Sequence, residues 1–165
     1  MSFIAKFTNL QELELISYFE GFEKLQYTIF PQLQILKFPY SHLFPRYESL
    51  IKFLEINGGN LKELYLSDMR GNNDGSLNLA IAKFCTNLRK LSTRFKNDEL
   101  ETLKMIFNGC QYLESIKFRC SGGRDVLHFI EKDALEAAVK LKYPKTIREL
   151  LILHYKTMEK IKLFL

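Results

Sequence analysis

The side chains able to carry nucleophilic or metal chemistry in this 165-residue chain are three cysteines, Cys85, Cys110 and Cys120, and three histidines, His42, His128 and His154. A catalytic thiol needs an imidazole brought within hydrogen-bond range, and a structural zinc site draws ligands in pairs two to four residues apart. No such pair occurs among these six residues. Cys120 and His128 stand nearest to each other, but the SGGRDVL between them reads as a loop rather than as an element that orients a base. A hydrolase with Cys120 as nucleophile is the one catalytic reading available. Cys85 and Cys110 read as small core residues, the usual setting of a free cysteine. Gly122 and Gly123 belong to no Gly-x-x-x-x-Gly-Lys phosphate cradle and read as a turn. GNNDGS at 71–76 lacks the spacing and closing glutamate of a calcium loop. The sequence therefore predicts no enzyme, no metal and no cofactor.

What remains is charge. The chain carries 24 basic and 19 acidic residues, a net +5, and residues 119–165 hold 10 of the basic and 6 of the acidic ones. A surplus gathered toward one end points to an acidic partner. Without glycine–aromatic RNA motifs, it gives only weak support for nucleic acid, which is not the partner expected. The longest stretch free of charge, Leu25–Leu36, contains Pro31 and falls far short of the roughly 20 apolar residues that span a bilayer. Glu12 and Glu14 stand where a signal peptide needs an apolar run. An odd number of widely spaced cysteines fits reduced thiols. These features together predict a protein of the cytoplasm or nucleus.

The elements that would position those charges repeat along the chain. TNLQELEL places Leu10, Leu13 and Leu15 in an L-x-x-L-x-L pattern, PQLQILKF repeats it with Leu33, Leu36 and Phe38, and GNLKELYL with Leu61, Leu64 and Leu66. TNLRKLST follows with Leu88 and Leu91 but Thr93 in the last slot; QYLESIKF gives Leu113, Ile116 and Phe118; TIRELLIL gives Ile147, Leu150 and Ile152. The first positions are 23, 28, 27, 25 and 34 residues apart. Most of these steps fall in the leucine-rich range of about 20–29.

A short strand alternates its side chains, so the last two apolar positions share one face and the residues between them share the other. Helical spacing follows the strands: Leu50, Ile51 and Leu54, then Leu77, Ile81 and Phe84, then Leu100, Leu103 and Phe107. Leu135, Ala138 and Val139 continue the stripe. Asp98 with Glu101, and Asp133 with Glu136, have the form of capping boxes. The fold class expected is α/β, a leucine-rich-repeat solenoid of about six strand–helix repeats curved into a horseshoe arc. Its last segment, HYKTMEKIKLFL, leaves Ile161, Leu163, Phe164 and Leu165 as apolar residues on an uncapped end.

Three residues before the first apolar position the units carry Phe7, Phe30, Gly58, Cys85, Cys110 and Pro144, so two units open as C-x-x-L-x-x-L. That opening resembles the cysteine-containing, ribonuclease-inhibitor-like repeats of F-box proteins. The strings FPQLQILKFPYSHLFPRYESLIKFLEINGGNLKELYL, LNLAIAKFCTNLRKLSTRFKNDELETLKMIFNGCQYLESIKF and EKDALEAAVKLKYPKTIRELLI are similar to the repeat region of the large fungal F-box families. The resemblance implies one leucine-rich-repeat domain over 1–165 and a role like the substrate-recognition part of an SCF ubiquitin ligase. Met1 lies nine residues before Leu10, which leaves no room for an F-box. The chain is accordingly expected to be a truncated or partial relative, with adaptor binding only where a full-length protein supplies that module. Tyr18 and Met69 replace the asparagine or cysteine expected after the strand, and Cys120 falls one residue early. The alternative is a ubiquitin-independent scaffold or inhibitor of the ribonuclease-inhibitor type.

In this register the concave face carries Glu12, Glu14 and Ile16; Ile35, Lys37 and Pro39; Glu63, Tyr65 and Ser67; Lys90, Ser92 and Arg94; Ser115, Lys117 and Arg119; Glu149, Leu151 and Leu153. The face starts acidic and turns basic. Candidate partner-binding residues are Lys37, Glu63, Tyr65, Lys90, Arg94, Lys117 and Arg119, and the partner expected is a protein with an acidic surface. Lys90, Arg94, Lys117 and Arg119 fall on neighbouring strands, close enough to act on one partner.

Overall fold

The computed structural model describes residues 3–16, 21–39, 45–66, 75–96, 99–120, 146–154 and 160–164. Among these residues seven strands lie side by side in chain order: β1 (Glu12–Glu14), β2 (Ile35–Phe38), β3 (Glu63–Leu66), β4 (Lys90–Phe95), β5 (Ser115–Cys120), β6 (Glu149–His154) and β7 (Lys160–Phe164). The first six are parallel, and β7 returns antiparallel along β6. Helices α1 (Phe22–Leu25), α2 (Tyr47–Asn57), α3 (Ser76–Phe84) and α4 (Leu100–Gly109) alternate with the first five strands. Parallel neighbours require such crossovers, because their ends lie at opposite edges of the sheet.

The step from one unit to the next is the same each time. The carbonyl of the residue entering a strand accepts two amides from the following unit: Gln11 O takes the N–H groups of Gln34 and Ile35 at 2.8 and 3.0 Å. Gln34 O does so with Lys62 and Glu63, Lys62 O with Arg89 and Lys90, Arg89 O with Glu114 and Ser115, and Glu114 O with Arg148 and Glu149. Before each strand, the N–H of Leu10, Leu33, Leu61, Leu88 or Leu113 closes a turn onto the carbonyl of Phe7, Phe30, Gly58, Cys85 or Cys110. The positions that are equivalent in sequence are thus equivalent in hydrogen bonding.

Between these bonds lies a stack of apolar side chains. Leu13, Leu36, Leu64, Leu91, Ile116 and Leu150 stand opposite one another in register, and all are buried. The preceding positions Leu33, Leu61, Leu88 and Leu113 are fully buried too. From the other side come Phe53 of α2, Leu77 and Ile81 of α3, and Leu103, Ile106 and Phe107 of α4. Phe22 packs edge-on against Phe38 with ring centroids 5.6 Å apart, and Phe53 contacts Phe22 and Phe30 at 5.4 and 6.0 Å. Helix-to-helix approach is close where glycine permits it. A Cβ on Gly109 would stand 2.4 Å from the Ala82 carbonyl oxygen, so no larger residue fits between α4 and α3 there.

Several sequence expectations are altered by these contacts. Helix α4 begins at Leu100 with Glu99 as its cap residue and no side-chain cap bond, while Glu101 pairs instead with Lys104. The expected capping box is therefore not formed by Glu101; Asp98, Asp133 and Glu136, and the stripe Leu135, Ala138 and Val139, lie outside the described residues. Ile51, Phe84 and Leu100 are only partly buried, because Phe53 and Ile106 face the core more directly. The C-terminal segment does not leave an open end on β6. Ile161 pairs with Ile152 and Leu163 with Leu150, so β7 covers the β6 edge through main-chain bonds. Among the described residues no helix is long and apolar enough to cross a membrane.

The stack predicts a sharp contrast between two identical substitutions. Leu91→Asp places an unpaired charge at a site only 1% exposed and abolishes the cooperative urea transition. Leu79→Asp, on α3 but 42% exposed, costs about 1 kcal/mol or less. Retention of a wild-type transition by Leu91→Asp contradicts the buried register.

Candidate interaction face

The residues that alternate with the buried ladder form rows across the open face of the sheet. The first row reads Glu12, Ile35, Glu63, Lys90, Ser115, Glu149, and the second Glu14, Lys37, Tyr65, Ser92, Lys117, Leu151. Arg94, Arg119 and Leu153 stand opposite one another in a third. All seven candidate residues from the sequence fall in these rows, on β2 to β5. Pro39 and Ile16 lie just past their strands, and Ser67 lies outside the described residues.

The rows do not form one continuous acidic-to-basic gradient. Lys37 bonds Glu12 and sits 3.9 Å from Glu14, so the acidic β1 is already matched by β2. Its ammonium also lies 5.9 Å from the centre of the Tyr65 ring, within cation–π range. Lys90 pairs with Glu63 at 2.9 Å, and the Tyr65 hydroxyl donates to the other Glu63 oxygen at 2.8 Å. On the far side, Ser115 donates to Glu149 at 2.9 Å, and Lys162 of β7 pairs with Glu149 at 2.7 Å. Lys90 thus belongs to the compensated part of the face, not to the cationic part, because the carboxylate directly opposite it takes its charge.

The titration behaviour follows the same contacts. Burial disfavours the charged form of Glu63, but the hydrogen bonds from Lys90 and Tyr65 outweigh it and hold the carboxyl below its ordinary value. Burial, then the hydrogen bond to Glu63 and its charge, push the Tyr65 phenol up to about 12. For Lys37 the hydrogen bond to Glu12 raises the ammonium above its usual value.

The cationic part is the β4–β5 boundary. Arg94 and Arg119 occupy directly opposed positions, and Lys117, between Ser92 and Leu151, has no carboxylate in ion-pair range among the described residues. Like charges set directly opposite cost a sheet stability. Glu12, Glu14, Lys37, Glu63, Lys90 and Glu149 of these rows each meet an opposite charge.

At the C-terminal end of β4, a buried polar network replaces one apolar position. The Thr93 hydroxyl donates to Asn78 at 3.0 Å, and Asn78 Nδ2 donates to the Arg94 carbonyl and to Glu99 at 2.8 and 2.9 Å. The Lys96 amide adds a bond to the same Glu99 oxygen at 2.9 Å. This explains why the fourth copy carries Thr93 where the others carry Leu, Phe or Ile. The network holds the backbone of Arg94, and the signal for it in sequence is the single polar exception in the ladder.

The thiols take structural places. Cys85 and Cys110 end α3 and α4, accepting the turn bond from Leu88 and Leu113, and the Cys110 thiol donates to the Cys85 carbonyl at 3.3 Å. Burial drives the Cys85 thiol far up and the Cys110 thiol to about 12, so neither is a thiolate near neutral pH. Cys120 stands opposite Phe95 and His154 in register; His128 lies outside the described residues. Among the described residues no group of three or more His, Cys, Asp or Glu side chains is gathered for a metal.

Because the folded pKa of Glu63 is depressed, its pairing stabilises the fold above the ordinary carboxylate range and is lost as pH falls through the folded value. The expected outcome is that Glu63→Gln loses less stability than wild type between pH 7 and pH 3 in urea titrations. An equal loss in both contradicts a stabilising Lys90–Glu63–Tyr65 group. No protein-family model, curated protein or solved structure matches the chain.

Proposed function

We propose that the chain is a leucine-rich-repeat module whose concave sheet face holds an acidic surface of a protein partner. The observation that carries this reading is the β4–β5 boundary, where Arg94 opposes Arg119 and Lys117 has no carboxylate beside it among the described residues. Three cationic residues stand at neighbouring strand positions there, and an acidic partner would meet the one among them, Lys117, that no carboxylate faces. The partner's contacts are Arg94, Lys117 and Arg119, flanked by Ser92 as a hydroxyl donor. Lys37, Glu63, Tyr65 and Lys90 act differently, as a self-compensated shelf that sets the position of the neighbouring strands.

The repeat reading is supported by the identical forked carbonyl at five successive steps and by the matching turns at Phe7, Phe30, Gly58, Cys85 and Cys110. The resemblance to F-box repeat regions extends the proposal to target recognition for an SCF ubiquitin ligase. The inner face would then select the protein to be modified, and adaptor binding would come from another module. The buried thiols Cys85 and Cys110 favour binding over thiol catalysis.

The test is quantitative affinity isolation with the wild-type chain and an Arg94→Glu/Lys117→Glu double variant, each first shown to be folded by circular dichroism. Wild type is expected to retain acidic proteins that the double variant loses by tenfold or more, while Lys90→Gln retains them within about threefold. Equal capture by the double variant overturns the cationic-face reading. Partners that are bound but whose turnover is unchanged when the adaptor is depleted overturn the ubiquitin-ligase extension and leave a scaffold or inhibitor.

A further inference from the structure

The edge of the sheet where the chain enters its strands carries a second feature, away from the open face. Each first leucine, Leu33, Leu61, Leu88 or Leu113, is fully buried, so the residues on either side of it turn outward. The residues before it are Gln32, Asn60, Asn87 and Tyr112, and those after it in the first three of these units are Gln34, Lys62 and Arg89. Together they line one groove of roughly 330 Å³ that crosses the entries to β2, β3, β4 and β5.

The chemistry of this groove is specific. Four of its side chains, Gln32, Gln34, Asn60 and Asn87, are amides, each presenting both donors and an acceptor, which is the pairing a peptide main chain requires. Asn87 uses one donor on the Gly59 carbonyl at 2.7 Å, which fixes the side chain and leaves its oxygen available. The carbonyls of Gln34, Lys62 and Arg89 are already occupied by the forks to the next unit. Recognition there comes from side chains and not from adding a strand.

Charge selects among peptides. Lys62 and Arg89 hold the same position in adjacent units, so their Cα atoms are about 4.8 Å apart, the parallel strand spacing, and one carboxylate reaches both. Lys62 has no ion pair among the described residues, and Arg89 meets only Glu114 at 3.6 Å, with both side chains exposed. Such a loose surface pair contributes little and exchanges readily for a ligand carboxylate. From β2 to β5 the groove spans three strand spacings, about 14 Å, the length of four or five extended residues.

We propose that this rim groove binds an extended acidic peptide segment of a partner, with main-chain groups on the amides and one carboxylate shared by Lys62 and Arg89. The site is separate from the open sheet face and is independent of the function proposed for that face. The exposed Tyr112 ring closes the β5 end of the groove and gives the peptide an apolar stop.

The experiment uses a fluorescein-labelled, end-blocked hexapeptide of alternating Asp and Ser, titrated with the whole chain by fluorescence anisotropy. Saturable binding is expected, at least tenfold weaker for Lys62→Glu/Arg89→Glu, whose side chains are exposed, and changed less than twofold for Arg94→Glu/Lys117→Glu. Asn60→Ala, the milder variant, is expected to weaken it about threefold. A peptide with Asn in place of Asp is expected to bind at least tenfold more weakly. The proposal is overturned by absent saturation, by undiminished binding to Lys62→Glu/Arg89→Glu, or by loss on Arg94→Glu/Lys117→Glu, which would place the peptide on the open face. It is equally overturned if a six-nucleotide thymidine oligomer binds as tightly, since the groove would then read anionic charge and not a peptide.

Discussion

One carbonyl oxygen accepting two amides of the next unit is the contact on which the rest of this structure depends. The fork at Gln11, Gln34, Lys62, Arg89 and Glu114 fixes where each strand begins relative to the one before it. A slip of one residue would turn every leucine of the ladder outward and every charge of the open face inward. Because the fork satisfies two main-chain donors at the sheet edge, it also removes two groups that would be costly to bury unpaired. Burial of Leu36, Leu64, Leu91 and Ile116 then makes that register the stable one. The two effects act together: hydrogen bonds set the register and apolar burial penalises any other.

The functional consequences follow from that register. It places Glu63 beside Lys90 and Glu12 beside Lys37, and the charges of each pair neutralise one another. It also places Arg94 opposite Arg119, beside a Lys117 that meets no carboxylate among the described residues. The polar network of Thr93, Asn78 and Glu99 binds the Arg94 carbonyl, so the backbone under this cationic boundary is held by α3 and by the start of α4. One Glu99 oxygen accepts no hydrogen bond although it is buried. Retention of such a group in a mostly apolar core costs stability, and its position links the cationic boundary to the entry of α4.

Much of this arrangement was legible in the chain itself. The ladder positions, the six parallel strands and the rows of the open face follow from a spacing that repeats with the same residue types. Helix boundaries were less legible: Glu101 looks like a capping residue in sequence, yet a lysine one turn on, Lys104, takes it. The charge pairing was not legible because sequence gives the sign of each residue but not which neighbour it meets across the sheet; Lys90 looks basic until Glu63 is seen opposite it. Strand β7 was missed because an apolar run such as Ile161 to Phe164 has no signal for pairing except the β6 edge it covers. Thr93 was visible as an exception, but its partners Asn78 and Glu99 lie in other elements and become neighbours only through the fold.

Amide hydrogen exchange of the whole chain tests the forked stack most directly. The N–H groups of Lys62, Glu63, Arg89, Lys90, Glu114 and Ser115 sit at strand entries, where an ordinary loop would exchange rapidly. The forks predict that both amides of each pair are protected together, to a degree comparable with Leu64, Leu91 and Ile116 inside the strands. Rapid exchange at Lys62, Arg89 and Glu114 alongside protected strand centres would contradict the account, because the units would then be joined by apolar packing alone.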